Sequence, residues 1–298
     1  MSNVIWWIFQ MVIILLSYTH GENVDSKCPG PLAYYKALGC KPVYEATTDE
    51  CPYRFDCDFL KARSRDKCYV NGKAYSLGEH LRDEDANPCD IGCVCRMGYD
   101  GVAAFVCAEL EFSSVVLPGC YERRSPLDCN SSETVCPENP EDRPTCIVNG
   151  TTYKDGEYFT TTDPEQTCIC GPGYKGENIE PFCAYPKRPY CDPYFNHASD
   201  IVENCAPVYY SNQSPQTDCS VFSRCQNKDD KIIRHGGSEL DKCQFGSLVL
   251  SMGDELNQST DYSSVCVKCV CEVPPTPTCQ RLPDEECDVT NHPPFVSQ

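Results

Sequence analysis

Twenty-six cysteines, none before residue 28, constrain this chain more than any other feature. They sit in a repeated setting. Three segments open Cys68-Tyr-Val-Asn-Gly-Lys-Ala-Tyr-Ser-Leu-Gly-Glu, Cys146-Ile-Val-Asn-Gly-Thr-Thr-Tyr-Lys-Asp-Gly-Glu and Cys243-Gln-Phe-Gly-Ser-Leu-Val-Leu-Ser-Met-Gly-Asp. Each runs on to a Cys-x-Cys pair: Cys93/Cys95, Cys168/Cys170 and Cys269/Cys271. On a strand, residues two apart point to one face. The two sulfurs of a pair are therefore aimed alike and should go to different partners, tying one strand to two neighbours.

The setting for such chemistry is an oxidising one. Residues 1–21 read as a signal peptide: Val4 to Leu16 is almost wholly apolar, and Thr19 and Gly21 supply small residues before a cleavage site. The apolar run is shorter than the ~18–20 residues a membrane span needs, and no later segment is apolar enough to cross. A secreted, extracellular protein is expected. There thiols form disulfides, and an even number allows complete pairing. Zinc is the competing use, because Cys266 and Cys269 are spaced Cys-x2-Cys. No histidine lies at ligand spacing from them, so neither metal nor cofactor is expected.

Mean hydropathy is −0.44. Modules of this size bury too little apolar surface to stay folded unaided, so the bridges must restrict the unfolded chain, each by roughly 2–4 kcal/mol. The formal charge of −19 repels nucleic acid and anionic membrane and favours basic protein partners.

The cysteines parse into four even groups. Cys28, Cys40, Cys51 and Cys57 form the first. Cys68, Cys89, Cys93, Cys95, Cys107, Cys120, Cys129 and Cys136 form the second. Cys146, Cys168, Cys170, Cys183, Cys191, Cys205, Cys219 and Cys225 form the third, and Cys243, Cys266, Cys269, Cys271, Cys279 and Cys287 the last. Each group could close on itself, and bridges between groups stay open. A second repeat, Cys40-Lys-Pro-Val-Tyr and Cys205-Ala-Pro-Val-Tyr, leads to Cys51/Cys57 and Cys219/Cys225, with Cys120, Cys129 and Cys136 as a degenerate copy. The domain reading is a half-module over 22–67, a module over 68–136, a linker and second module over 137–225, a first-half module over 226–287, and a disordered tail over 288–298.

Asn71-Gly72 and Asn149-Gly150 between β-formers predict type I′ hairpins. Gly246-Ser247 predicts a type II′ turn. Gly78, Gly156 and Gly253 mark a second bend. Helical periodicity is weak, short stretches such as Leu60–Arg65 apart. Pro137–Thr145, with three prolines, is expected to be extended. Sequons at Asn130, Asn149, Asn212 and Asn257 mark expected exposed glycosylation sites. The fold class is small, disulfide-rich and all-β, in an elongated tandem array of modules with short irregular hairpins.

At these residues the chain resembles the von Willebrand factor type C module, with its Cys-x-x-x-Gly-x-x-Tyr-x-x-Gly-Glu-x-Trp opening and its Cys-x-x-Cys-x-Cys. Cys68, Gly72, Tyr75, Gly78 and Glu79 fit, as do Cys146, Gly150, Tyr153, Gly156 and Glu157. Cys266, Cys269 and Cys271 fit the cysteine triple. Leu250 replaces the tyrosine of the third copy. Leu81, Phe159 and Leu256 stand where the family has tryptophan. The resemblance, to chordin-like secreted proteins, implies a non-enzymatic extracellular binding protein whose partner is a bone-morphogenetic or other transforming-growth-factor-β-type ligand, or a matrix protein. The alternative is a protease inhibitor or a venom or defence component, with Arg96, Arg123 or Lys187 as the primary specificity residue. Enzyme chemistry has little to rest on. His80, His197, His235 and His292 lie in no nucleophile or metal motif, and Asp83-Glu84-Asp85 reads as a charged turn.

Both tryptophans, Trp6 and Trp7, fall in the leader. The purified secreted protein should therefore emit as a tyrosine-only protein. A tryptophan band in its fluorescence spectrum would overturn the assigned cleavage.

Overall fold

In the computed structural model residues 27–46, 49–108, 116–162, 165–188, 191–236, 241–293 and 295 are described; the leader lies outside them. Short antiparallel hairpins carry the fold, and helices are few. Strand β1 (Lys41–Val43) pairs with β2 (Arg54–Asp56), β3 (Lys67–Val70) with β4 (Lys73–Ser76), β5 (Val94–Met97) with β6 (Ala103–Val106), and β7 (Tyr121–Ser125) with β8 (Asp128–Val135). Strand β9 (Thr145–Val148) pairs with β10 (Thr151–Lys154). A three-stranded sheet follows from β11 (Tyr158–Thr162), β12 (Glu165–Ile169) and β13 (Cys183–Ala184). Then come β14 (Ala206–Tyr209), β15 (Phe222–Arg224), β16 (Ile232–Ile233), a hairpin of β17 (Lys242–Phe245) and β18 (Leu248–Ser251), β19 (Glu255–Leu256), β20 (Val267–Val270) and β21 (Thr278–Arg281). Six of these form one sheet in the order β15-β14-β21-β20-β19-β16.

The disulfides repeat as the strands do. The opening cysteine of each copy bonds to the second of its pair: Cys68–Cys95, Cys146–Cys170 and Cys243–Cys271. The first of the pair bonds to the next cysteine on: Cys93–Cys107, Cys168–Cys183 and Cys269–Cys279. The paired sulfurs thus do go to different partners. The second repeat is bridged alike by Cys40–Cys57, Cys120–Cys136 and Cys205–Cys225. Cys28–Cys51 and Cys266–Cys287 complete the described set. Each of these bridges stays inside one of the four cysteine groups. Cys89, Cys191 and Cys219 are bonded too, and no described cysteine is free.

Local sequence explains the hairpins. Asn71 and Gly72 lie at φ 49° and 74°, and Asn149 and Gly150 at φ 49° and 84°, the two left-handed positions a type I′ turn requires. In the third copy only Gly246, at φ 54°, is left-handed, as a type II′ turn has it. The following Gly-acid pair does a job that spacing alone did not disclose. Gly78 donates to the Cys95 carbonyl and Cys95 donates back to the Glu79 carbonyl, at 2.8 and 3.0 Å. The same pair of bonds joins Gly156–Glu157 to Cys170 and Gly253–Asp254 to Cys271. Each acid also closes its own turn, its carboxylate accepting from the N–H three residues back: Ser76 for Glu79, Lys154 for Glu157 and Ser251 for Asp254.

The described residues fall into two compact units, one drawn from the stretches up to Cys57 and from Asn204 onward, the other from Asp58–Glu203. Leu81, Phe159 and Leu256 are all buried, each in a cluster with the bridges of its own copy. In the first unit helix α1 (Leu32–Leu38) ends on left-handed Gly39, with Leu32, Tyr34, Tyr35 and Leu38 buried. The Tyr35 hydroxyl donates to the Val273 carbonyl at 2.6 Å, and its ring stacks on Phe55. In the second unit α2 (Pro193–Asn196), capped by Asp192, and α3 (Ala198–Val202) pack near β3 and β6, and Phe195 stacks on Phe105. None of these helices is long enough to register as a periodic pattern. The stretch Pro137–Thr145 is not simply extended. Pro140–Asp142 makes a single 3-10 turn, for which proline's fixed φ is suited, and Arg143 lies over the Tyr121 ring at 4.1 Å. The expected tail carries another such turn, Val289–Asn291, capped by Asp288.

Arg224 is the largest fully buried side chain of the first unit, and Asp230 is its counter-charge at 2.5 Å, the two side chains both at 0% exposure. Its guanidinium also donates to the Asn257 carbonyl at 2.8 Å. Removing one member of such a pair leaves a charge buried without compensation. Asp230→Ala should lower stability by about 3–5 kcal/mol in denaturant unfolding with the bridges intact, and a loss under about 1 kcal/mol would show that Arg224 escapes to water.

Candidate interaction surface

Chemistry at this surface starts from the tip of the β5–β6 hairpin. Met97 pairs with Ala103, and residues 98–102 turn between them. The turn is held by Gly98 donating to the Val102 carbonyl at 2.9 Å, Gly101 to the Gly98 carbonyl at 3.1 Å, and Val102 to the Asp100 carboxylate at 3.0 Å. A side chain at position 98 would stand 2.6 Å from Asp100 Oδ1 and 2.9 Å from the Val102 oxygen, so only glycine fits. Val102 and Ala103 are buried beneath. On this braced loop Tyr99 is fully exposed, and Met97 beside it is about half exposed.

The second copy supplies a contrast. Tyr174 stands at the same place, four residues after the second cysteine of the pair. It is folded in, edge-on to Phe159 at 5.6 Å and to Phe182 at 5.5 Å, and its hydroxyl donates to Asn178 at 2.8 Å. In the first copy the aromatic cluster is made by Tyr75, Phe105 and Phe195 instead, and Tyr99 is left facing water. An exposed aromatic ring on a rigid loop loses little conformational freedom on binding and buries a large area.

The charged groups singled out from the sequence are mostly engaged elsewhere. Asp85, buried, accepts from the Tyr75 hydroxyl at 2.5 Å, from Asn71 at 3.0 Å and from Lys73, which also holds Glu84. The acidic run is thus a clamp across the β3–β4 hairpin. Arg123 is bound to Asp155 and Glu133. Lys187 donates from its ammonium to the Asp83 carbonyl and from its backbone to Asn87. Arg96 is exposed but sits in the β5 ladder opposite Ala104. The histidines have separate neighbours: His80 bridges to Val94 through its backbone, His197 faces Asp200 at 3.2 Å, His235 faces Glu255 at 3.8 Å, and His292 lies 3.4 Å from the Cys287 sulfur.

Cys266 and Cys269 fall in two different bridges, to Cys287 and Cys279, so this pair offers no thiolates to a metal. The sequons differ. Asn149 and Asn212 are exposed, and the Asn130 side chain lies outside the described ones. Asn257 is half-buried: its carboxamide accepts from Lys231 at 2.7 Å and donates to the Asp229 carbonyl at 3.1 Å. Sequence reasoning did not distinguish these four, because a sequon records residue type and not the partners of its amide.

Searches of protein-family models, curated proteins and solved structures return no match to this chain.

Asp155 gives the second unit a pH dependence. Burial by itself pushes its carboxyl up, but hydrogen bonds from the Arg123 guanidinium and the Tyr121 hydroxyl outweigh it and hold the group below the ordinary carboxylate range. On acidification the unfolded chain therefore takes up this proton before the folded one. The stabilisation is complete above about pH 4 and is lost as pH falls through the lower folded value. Asp155→Asn should be less stable than the parent at neutral pH, with the difference shrinking below about pH 4; tyrosine near-ultraviolet dichroism during denaturant unfolding reads this directly. A difference independent of pH would remove the ion pair as its cause.

Proposed function

We propose that this is a secreted, non-enzymatic binding protein of the extracellular space. Its repeats are read as divergent von Willebrand factor type C modules, in tandem array, and its partner as a basic extracellular protein, a growth factor of the bone-morphogenetic type or a matrix component. The observation that carries the reading is Tyr99: an aromatic side chain fully exposed on a loop braced by three hydrogen bonds, while the equivalent Tyr174 is half-buried and packed on Phe159 and Phe182. The net charge of −19 favours a basic ligand and speeds its encounter with the chain. The exposed apolar ring supplies what screening by salt does not remove.

The inhibitor reading has less behind it. Its three basic candidates are either bound to acceptors or set in a hairpin ladder, whereas a protease must receive an extended, unpaired backbone.

Binding of the full secreted chain to an immobilised bone-morphogenetic-type dimer tests the proposal, at physiological and at high salt, with trypsin inhibition run alongside. Saturable binding that persists at high salt and weakens roughly 30-fold or more in Tyr99→Ala, as loss of a hot-spot residue of ~2 kcal/mol does, is the expected result. Absence of binding, or trypsin inhibition instead, would overturn the reading.

A further inference from the structure

The net charge of −19 hides a local excess of the opposite sign. Four of the 25 lysines and arginines fall within residues 61–67, as Lys61, Arg63, Arg65 and Lys67, where the one acid is Asp66. Cations elsewhere in the second unit are mostly matched by carboxylates: Lys73 by Asp85, Arg82 by Glu79, Arg123 by Asp155, Arg124 by Glu122 and Arg188 by Asp90. Lys61 is matched too, by Asp58. Arg63, Arg65, Lys67 and Arg96 are not: among the described residues no carboxylate makes an ion pair with any of them. Lys154 and Lys175 are likewise unmatched, but neither has another cation beside it in the chain.

The fold gathers the four. The Arg65 carbonyl accepts from the Ala103 N–H at 2.7 Å, and the next residue, Ala104, pairs with Arg96. Strand β6 thus has Arg65 along one edge and Arg96 across the other, two strand spacings or about 10 Å apart. Lys67 opens β3, in the same segment as Arg65. Arg65, Lys67 and Arg96 are exposed. Arg63 is half-buried. Its guanidinium lies 3.7 Å from the Tyr194 ring centre, 4.7 Å from that of Tyr69, the residue after the opening cysteine, and 5.4 Å from that of Phe59. These rings hold the side chain in place and neutralise none of its charge. The acids of the neighbourhood face partners of their own: Asp66 the Ser64 hydroxyl, Asp100 the Val102 N–H, Glu79 the Ser76 N–H and Asp200 His197. At physiological ionic strength, exposed charges more than ~8 Å apart are largely screened from one another. The local cations, and not the net charge, therefore set what this face attracts.

We propose that this face binds a sulfated polysaccharide of the extracellular matrix, with Arg63, Arg65, Lys67 and Arg96 on its sulfate groups. Cations spread over two strand spacings suit a chain of anions better than a single ion. Three of the four are arginine, whose planar fork of donors fits oxyanions. Single-stranded nucleic acid is bound largely by stacking its bases on free rings, and here Tyr69 and Tyr194 already face Arg63. The inference rests on the export reading, since such polysaccharides are met outside the cell.

The test titrates the full secreted chain with a heparin oligosaccharide at several salt concentrations. It compares the parent, Arg65→Ala, Arg96→Ala, their double variant and, as a control, Lys175→Ala. All three positions are exposed, so the fold should survive each change, and near-ultraviolet dichroism checks that it does. Saturable binding is expected, with log Kd rising against log salt with a slope of about 3 for four contacts. Each single arginine variant should lower that slope by about 1, and the double variant should weaken binding by about tenfold or more, whereas Lys175→Ala should change neither. No binding by the folded secreted chain, equal binding to desulfated heparin, the same loss in Lys175→Ala, or tighter binding to a DNA oligonucleotide of equal charge would each overturn the inference and leave the export reading standing. A chain retained inside the cell would overturn both.

Discussion

The two sulfurs of a Cys-x-Cys pair leave one face of a strand, and a sulfur can bond only once. The two therefore take different partners, and in each copy one reaches back to the opening cysteine and the other forward to the next. That crossing, made three times in this chain, is the constraint on which the rest depends. It draws the first hairpin and the following strand onto one central strand from opposite directions, before any apolar packing is counted. The bridges close stretches of 10 to 28 residues, each restricting the unfolded chain by about 3 kcal/mol. A cluster as small as Phe159 with Cys168 and Cys183 then suffices, because it has to set side-chain packing and not hold the backbone together.

Backbone hydrogen bonds lock the same crossing. The Gly-acid dipeptide after the first hairpin exchanges two bonds with the second cysteine of the pair and closes its own turn with the carboxylate. Aspartate works as well as glutamate, as Asp254 does in the third copy, because the acceptor needs only to reach an N–H three residues back. Tyrosine ten residues before a buried acid, as in Tyr75 with Asp85, is by contrast a local solution. In the second copy the acid next to the turn, Asp155, takes its tyrosine from another hairpin, Tyr121. What is shared by the copies is the covalent and backbone frame, and what differs is how each satisfies its polar interior.

The legible part of the fold follows that division. Hairpin turns were readable because Asn-Gly and Gly-Ser carry their φ requirement in the residue itself. The divergent partners of the Cys-x-Cys sulfurs were readable because strand alternation is geometric. The helices were not: α1 and α2 are one to two turns long, and their only local signals are Gly39 after the one and Asp192-Pro193 before the other. Nor was the pairing of distant segments, such as the Tyr35 hydroxyl on the Val273 carbonyl, since one hydrogen bond across more than two hundred residues leaves no pattern in composition. The surface was hardest of all. Tyr99 and Tyr174 share a motif and differ in environment, and nothing within either motif says which ring packs against its own module.

Internal repeats turn that difficulty into an argument. Where three copies share a frame, each position is seen under several sets of neighbours, and a departure in one copy isolates a cause that a single module would hide. Tyr174 shows that the frame can pack a tyrosine at this offset from the cysteine pair against its aromatic cluster, whereas in the first copy Tyr75, Phe105 and Phe195 make that cluster and Tyr99 stays exposed. Tyr69, Ile147 and Gln244 show three answers to one outward position: cover it with protein, leave it bare beside a sequon, or make it polar. The disulfide frame bears the stability, and so the side chains that point away from it are free to differ from copy to copy.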